Sequence, residues 1–91
     1  MLVLVAYDVS DDAKRERLAK VLASRGERRQ LSVFLVEVSS RLDLQKLKHA
    51  ALKHVDLRRD RCCFVPICQD CRERSMWLGA YPDERGGWSD A

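Results

Sequence analysis

The apolar run at the N-terminus gives way abruptly to charged residues at position 8. Residues 2–7 are apolar without a break and rich in branched side chains, which predicts a central strand buried on both faces. Asp8 follows at the end of this strand. Ser10, Asp11 and Asp12 then provide a helix cap and first-turn acids. The pattern therefore predicts a carboxylate between a buried strand and a helix.

Two stretches repeat apolar residues at intervals of three and four positions, which is typical of helices with one buried stripe. The first helix is predicted over about Asp12 to Arg25, and Gly26 stands where a left-handed C-terminal cap is expected. The second is capped by Ser39-Ser40, with Asp43 at the reciprocal capping-box position. The predicted stripes are Leu18, Val21, Leu22 and Arg25 on the first helix, and Leu44, Leu47, Ala51 and Val55 on the second.

The remaining apolar stretches have strand character. Residues 28–38 predict one long bent strand or a tight pair of strands. Residues 61–67 predict a fourth strand, and Pro66 places its end at a sheet edge or outside the ladder. A polar loop is expected over residues 68–74 and a last short strand over 75–81. Residues 82–91 are then a flexible tail behind a single domain of residues 1–81.

This order of elements is β-α-β-β-α-β with an extra C-terminal β-strand. It predicts an α+β fold of the ferredoxin-like kind, an antiparallel sheet with two helices on one face. The extra strand has no evident partner within such a sheet. Adding it to the sheet of a second copy would cover an edge, so we expect a homodimer.

The composition fits a globular protein. Of 91 residues, 46% are hydrophobic and 34% are charged, which argues against disorder. The apolar N-terminus is too short for a signal peptide or a membrane span. We therefore expect a cytoplasmic protein with no membrane partner, in which the four cysteines are thiols rather than disulfides.

The excess of basic residues is small but is carried mainly by arginine. The formal net charge is +3, and twelve of the 17 basic residues are Arg, the residue better suited to bidentate phosphate contacts. Short clusters occur at residues 14–17, 25–29 and 58–61. For any single Arg a solvated helix end or loop is the preferred interpretation. For the set, a phosphate-facing surface is an equal alternative.

Several motifs stand at fixed separations along the chain. They are Tyr7-Asp8-Val9-Ser10-Asp11-Asp12, Lys14-Arg15-Glu16-Arg17-Leu18, Gly26, Arg28-x-Gln30, Ser32-Val33-Phe34, Asp60 and Pro66-Ile67. Together they resemble one family, the CRISPR-associated Cas2 proteins. The likeness extends from the first strand to about Tyr81, and its motifs are specific in combination rather than singly.

This resemblance implies a homodimer of ferredoxin-like subunits. It implies a metal-dependent endonuclease that acts on single-stranded RNA or double-stranded DNA. It also implies a structural DNA-binding subunit between two Cas1 dimers, in the complex that inserts new spacers into a CRISPR array. Asp8 matches the aspartate that binds the metal in the family, and is thereby the expected catalytic residue and Mg²⁺ ligand.

The residues themselves allow two interpretations of Asp8. Mg²⁺ commonly takes one or two carboxylates, keeps several waters and accepts phosphate oxygens, so two copies of Asp8 at a two-fold axis would suit one ion. Alternatively, Asp8 caps the following helix or pairs with an Arg. Asp11 and Asp12 are better explained as first-turn helix acids than as ligands, with a secondary carboxylate at the ion as the alternative for either.

Six residues are candidates for binding nucleic acid. Arg15, Arg17 and Arg28 match the motif and would contact phosphate or stabilise developing charge, although a solvated helix face explains Arg15 equally well. Gln30 and Ser32 are expected to share a strand face with Arg28 and form a contact surface. Phe34 could stack on a base, with the core or the dimer interface as the alternative.

One further motif carries chemistry. Cys68-x-x-Cys71, together with Cys62 and Cys63, could in principle bind zinc. The adjacent pair points to opposite sides of a strand, so a structural loop pair is preferred over zinc or a disulfide. His49 and His54 lie five positions apart on the second predicted helix and do not share a face well.

Two other functions remain open at this point. One is a non-catalytic ferredoxin-like module that binds nucleic acid. An RNA-binding module of that kind would carry aromatic residues on its central strands, where this chain offers only Tyr7 and Phe34. The other is a toxin-type ribonuclease of the same fold.

Overall fold

A computed structural model describes residues 1–79 of the chain. The elements in chain order are β1 (Leu2–Asp8), α1 (Asp12–Ala23), β2 (Gly26–Gln30), β3 (Val33–Glu37), α2 (Arg41–Leu52), β4 (Arg61–Ile67) and α3 (Gln69–Arg74). The four strands form one antiparallel sheet in the order β2-β3-β1-β4. This confirms the predicted ferredoxin-like order and the α+β class.

The core lies between the sheet and the two long helices, which pack on the same face of the sheet. Alternate residues of β1 point into this core, and they pair across the sheet with core residues of β3. Side chains alternate between the two faces of a strand, so every second strand residue faces the helices. Apolar residues spaced three and four apart on the helices face the sheet in return. The buried core is Val3, Val5, Tyr7, Val9, Leu18, Leu22, Phe34, Val36, Val38, Leu44, Leu47 and Ala51.

Within residues 1–79, no long helix packs on the opposite side of the sheet, and we call that side the open face. By strand register, its central residues are Leu4, Ala6 and Asp8 of β1, Val33 and Leu35 of β3, and Cys63 and Val65 of β4. Most of them are only partly buried, and Val65 is 46% exposed. The open face of the sheet is therefore a largely apolar and partly exposed surface.

The helix starts follow the predicted caps. Asp11 is the N-cap of α1, and its carboxylate accepts the Lys14 backbone N–H at 2.9 Å. Ser40 is the N-cap of α2 and accepts the Asp43 N–H at 3.1 Å. The Asp43 carboxylate in turn accepts the Ser39 N–H at 2.8 Å, one residue earlier than in the usual reciprocal box. Each cap therefore satisfies amide donors that no helix carbonyl can reach.

The predicted left-handed cap at Gly26 is wrong. Helix α1 ends at Ala23, its C-cap Ser24 is right-handed, and among residues 1–79 only Gly79 has a positive φ. Gly26 instead opens β2, where a Cβ would lie 2.1 Å from the Leu35 carbonyl oxygen of β3. The glycine is required because two backbones approach each other closely.

The strand predictions are right for the middle of the chain and wrong near its end. Residues 28–38 form the tight pair rather than one bent strand, and Pro66 lies in the edge strand β4 as expected. The polar loop predicted over residues 68–74 is instead the short helix α3, capped by Cys68.

The last short strand predicted over residues 75–81 is wrong as far as residue 79. No strand occurs over residues 75–79. Helix α3 ends at Arg74, and the hydroxyl of its C-cap Ser75 donates to the Cys71 carbonyl at 2.7 Å. The final two residues of the predicted strand and the predicted tail lie outside the described residues. Within residues 1–79, no helix is long and apolar enough to cross a membrane.

Candidate metal and nucleic-acid site

Asp8 is the last residue of β1 and lies on the open face, opposite Arg61 of β4 in the register. It is exposed, and its carboxylate makes no hydrogen bond or ion pair with any residue in the range 1–79. The alternative that it caps the following helix is wrong, because Asp11 fills that position. Pairing with an Arg is likewise not observed within that range. The strand therefore holds a carboxylate whose oxygens are available to a ligand.

Asp60 fixes the loop that follows Asp8. One of its oxygens accepts the Ser10 backbone N–H and the Ser10 hydroxyl, both at 3.0 Å, and the other accepts the Asp56 N–H at 2.8 Å. The bond from Asp56, followed by those from Ser10, lowers the pKa of Asp60. This side chain therefore ties the β1–α1 loop to the α2–β4 loop.

Sequence reasoning used Asp60 only as part of the family likeness and missed this role. The residue stands 50 positions from Ser10, so no spacing rule links the two. The position of Asp60 directly before a predicted strand was the only local feature that pointed to a structural role.

Arg15 also braces the loop after Asp8. Its Nη1 donates to the Val9 carbonyl at 3.1 Å, and its Nη2 forms an ion pair with Asp12. The side chain remains 44% exposed, and a guanidinium carries five N–H donors. Arg15 therefore has a structural role first, with donors left over for a phosphate.

Phe34 is a core residue, which was the alternative to base stacking. Its ring is 1% exposed and stacks against Tyr7 at 6.3 Å between ring centres. The Arg28 guanidinium lies 5.1 Å from the ring centre, and its Nε and Nη2 donate to the Leu31 carbonyl at 3.1 and 2.9 Å. A base has no access to a ring enclosed in this way, so the stacking prediction is contradicted.

The expected polar strand face of Arg28, Gln30 and Ser32 does not form. The chain turns at residues 31 and 32, and the ladder is irregular between Arg28 and Gln30. Gln30 is exposed at the end of β2, whereas Ser32 is half-buried in the turn, where its carbonyl accepts the Tyr7 N–H at 3.1 Å. Arg17 is exposed on α1 and makes no ion pair with residues 1–79.

The structure brings several of these candidates to one open cleft of about 790 Å³ between α1 and the β2–β3 hairpin. Arg15, Lys20 and Arg28 line this cleft beside Ser32, and two acidic residues, Asp12 and Glu16, line it as well. Arg17, Gln30 and Asp8 do not line it. The predicted set is therefore divided between this cleft, the exposed side of α1 and the open face of the sheet.

In the predicted basic cluster at residues 25–29, two of the three arginines are held by contacts within the chain. Arg25 pairs with Asp43 across the two long helices, and together with the Ser39 N–H, the larger influence, it lowers the pKa of Asp43. The Arg29 side chain is 2% exposed, pairs with Glu27 at 3.4 Å and lies over the Trp77 ring at 5.2 Å. Arg25 and Arg29 therefore stabilise the fold, whereas Arg28 lines the cleft.

The donor set within one chain is sparse. Among residues 1–79, no group of three or more His, Cys, Asp and Glu side chains is close enough to hold a metal ion. The four cysteines are free thiols in the structure and do not form a zinc cluster. A single exposed Asp8 nevertheless fits Mg²⁺, which is commonly bound by one or two carboxylates with water and phosphate oxygens.

These observations define a class first: a small ferredoxin-like protein with an open sheet face and an unpartnered carboxylate at the end of its first strand. Residues 1–75 match the family described as CRISPR associated protein Cas2. The chain belongs to the CRISPR-associated Cas2 family.

Two relatives agree with this assignment. The chain is similar to CRISPR-associated endonuclease Cas2 2 of Thermus thermophilus, with 44% identity over 72% of each chain. It is also similar to CRISPR-associated endoribonuclease Cas2 1 of Archaeoglobus fulgidus, with 43% identity over 84% of this chain and 81% of the relative.

Solved structures share the fold. Streptococcus pyogenes Cas2 superposes with a TM-score of 0.76 at 28% identity, covering 87% of this chain and all of that one. A chain of a partial Cas6-RT-Cas1–Cas2 complex gives a TM-score of 0.66 at 22% identity, covering 94% of this chain and 92% of that one. At that identity the second likeness shows the fold alone.

Proposed function

We propose that this chain is a CRISPR adaptation protein with two tasks. One is Mg²⁺-dependent endonuclease activity on single-stranded RNA or double-stranded DNA. The other is to hold DNA as the central subunit of a spacer-integration complex with Cas1 dimers. Family membership supports the proposal, as do relatives named endonuclease and endoribonuclease. The observation that carries it is the exposed, unpartnered carboxylate of Asp8 on the open face.

The active form in this proposal is a homodimer that buries the open face. Leu4, Ala6 and Val33 are only partly covered there, and Val65 is exposed, so contact with a second copy removes apolar surface from water. Asp8 shares this face with Leu4 and Ala6 because side chains alternate along a strand. A two-fold axis through the face relates the two Asp8 carboxylates, one from each copy.

The chemistry then divides among residues of this chain. The two Asp8 carboxylates would hold the ion, and bound Mg²⁺ would supply charge for the phosphate and a more acidic water. Asp60 and Arg15 hold the loop behind Asp8 in place. Arg17 and the cleft residues Arg15 and Arg28 would contact the nucleic-acid backbone, since guanidinium groups match phosphate geometry.

The decisive experiment compares Asp8→Asn with Asp11→Asn. Both changes remove one negative charge from the same segment, and Asn preserves the cap that Asp11 provides. Labelled single-stranded RNA and duplex DNA are incubated with each variant in Mg²⁺ or EDTA. We expect Asp8→Asn to lower cleavage by on the order of 100-fold or more, and we expect Asp11→Asn to cut like the parent.

Cleavage by Asp8→Asn at the parental rate would exclude Asp8 as the ligand. Duplex binding without any cleavage by the parent would remove the nuclease task and leave the DNA-holding task. Light scattering of the parent tests the dimer separately, and a monomer at micromolar concentration would contradict it. Retention of Cas1 from the same genome on immobilised protein tests the partner.

A further inference from the structure

Cys68 and Cys71 lie within the first turn of α3, immediately after the edge strand β4. Cys68 is the N-cap, and the backbone N–H of Cys71 donates to its Sγ at 3.4 Å. Both side chains are exposed. Because residues three apart lie on the same side of a helical turn, the two thiols face each other at the surface. The sequence had placed this pair in a polar loop, where no such arrangement is fixed.

The two thiols are not equivalent. Hydrogen bonds from the Cys71 backbone N–H and then from the Cys71 side chain lower the pKa of Cys68. Donating that side-chain bond to Cys68 raises the pKa of Cys71. One sulfur is thus favoured as the thiolate, which is the attacking species in thiol–disulfide exchange. The Cys71 thiol is favoured in its protonated form.

The chain contains its own reference thiols. Cys63 is exposed on β4, and its thiol shares no hydrogen bond with another described residue. Cys62 is half-buried beside the core, and burial, followed by the nearby Cys63, raises its pKa to about 11. Exposure alone therefore predicts equal reactivity for Cys63 and Cys68, whereas pairing predicts that Cys68 reacts faster.

We propose that Cys68 and Cys71 form a reversible dithiol–disulfide pair that is oxidised by a low-molecular-weight disulfide such as glutathione disulfide. The Cys68 thiolate attacks one sulfur of glutathione disulfide and expels one glutathione thiolate. Cys71 then loses its proton and attacks Cys68 Sγ, which closes the protein disulfide and expels the second glutathione. The protein loses two electrons and two protons, and glutathione disulfide takes up both to become two thiols.

The pair lies next to a contact that ties α3 to the sheet. Arg72, next to Cys71 in the same turn, pairs with Glu37 of β3 at 3.6 Å. A disulfide restrains that turn of α3 while leaving the ladder of β4 intact. The proposal does not depend on nuclease activity, so it stands or falls separately from the proposed function.

The test uses the reduced full chain and mass spectrometry of its peptides. With glutathione disulfide, we expect the loss of two hydrogen masses and a cross-link between Cys68 and Cys71. In Cys71→Ser the second step is blocked, so a glutathione adduct should accumulate on Cys68. Cys63→Ser should oxidise like the parent. Serine at position 71 keeps a hydroxyl in the first turn of α3, and far-UV circular dichroism checks the fold of each variant.

Alkylation provides the second readout. With iodoacetamide at neutral pH, we expect Cys68 to react several-fold faster than Cys63, and we expect Cys71→Ser to reduce that advantage. Equal rates at Cys63 and Cys68 would overturn the proposal. So would a disulfide that includes Cys63, or a glutathione adduct on parental Cys68 that never closes.

Discussion

Replacing Gly26 by alanine tests how β2 joins the sheet. The added Cβ would lie 2.1 Å from the Leu35 carbonyl oxygen, 2.7 Å from Val36 Cα and 2.8 Å from Leu35 C. All three are backbone atoms, so no side chain can rotate away. Ordinary contact requires β2 to move from β3 by more than about 1 Å, which breaks hydrogen bonds at this end of the hairpin.

The expected loss follows from those contacts. One or two ladder hydrogen bonds contribute about 1 kcal/mol each, and overpacking adds about 1–3 kcal/mol. We therefore expect Gly26→Ala to lower the free energy of unfolding by about 2–5 kcal/mol. For a domain of this size, that corresponds to a fall in Tm of about 10–40 °C.

Urea unfolding followed by far-UV circular dichroism measures this loss, with an unchanged m-value showing that the folded state is still compact. Ala23→Ser, three residues earlier on an exposed position of α1, is the matched control and should stay within about 0.5 kcal/mol of the parent. Gly26→Asn should be at least as damaging as the alanine variant.

If Gly26 were instead a left-handed helix cap, the same variants would behave differently. Alanine would then lower stability by about 1 kcal/mol, and asparagine would be well tolerated because it adopts that conformation readily. A parental midpoint for Gly26→Asn would therefore refute the close approach of β2 to β3.

Two further predictions concern the loops around Asp8 and the basic surface. The carboxylate of Asp60 has a pKa lowered from its ordinary value of 3.8, so its stabilisation is present above that pH and is lost as the pH falls through the lowered value. Asp60→Asn should have a lower Tm than the parent at pH 7 and a shallower loss of Tm on acidification to pH 2.5; parallel curves would contradict this. Nucleic-acid affinity should fall steeply with salt. Arg17→Gln should reduce the slope of that dependence by about one without changing Tm, and an unchanged slope would exclude a phosphate contact at Arg17.

Local spacing was sufficient for the helix starts. Asp11 and Ser40 each bind a backbone N–H three residues ahead, so the interaction is contained in four consecutive positions. The apolar periods of the long helices and of β1 likewise reflect which side of one element faces the core. Such features are readable because both partners lie on the same short stretch of chain.

The positions that were predicted wrongly depend on contacts that the local apolar pattern does not show. Phe34 was a candidate for base stacking, and its burial depends on Tyr7 and Arg28 from two other parts of the chain. Helix α3 was predicted as a loop, since its six residues carry no apolar period. Its first turn is held by the contact between Cys68 and Cys71 rather than by burial.

The sequence by itself determined the order of the first six elements, the N-caps of the two long helices, the edge position of Pro66 and the place of Asp8 at the end of a buried strand. The sequence also shows the family likeness, because each of its motifs is a short run of neighbouring residues. Only the tertiary structure decided that Asp60 braces Ser10, that Gly26 admits a neighbouring strand and that Asp8 lies unpartnered on the open face. These depend on strand register and on contacts between distant segments, which no local period encodes.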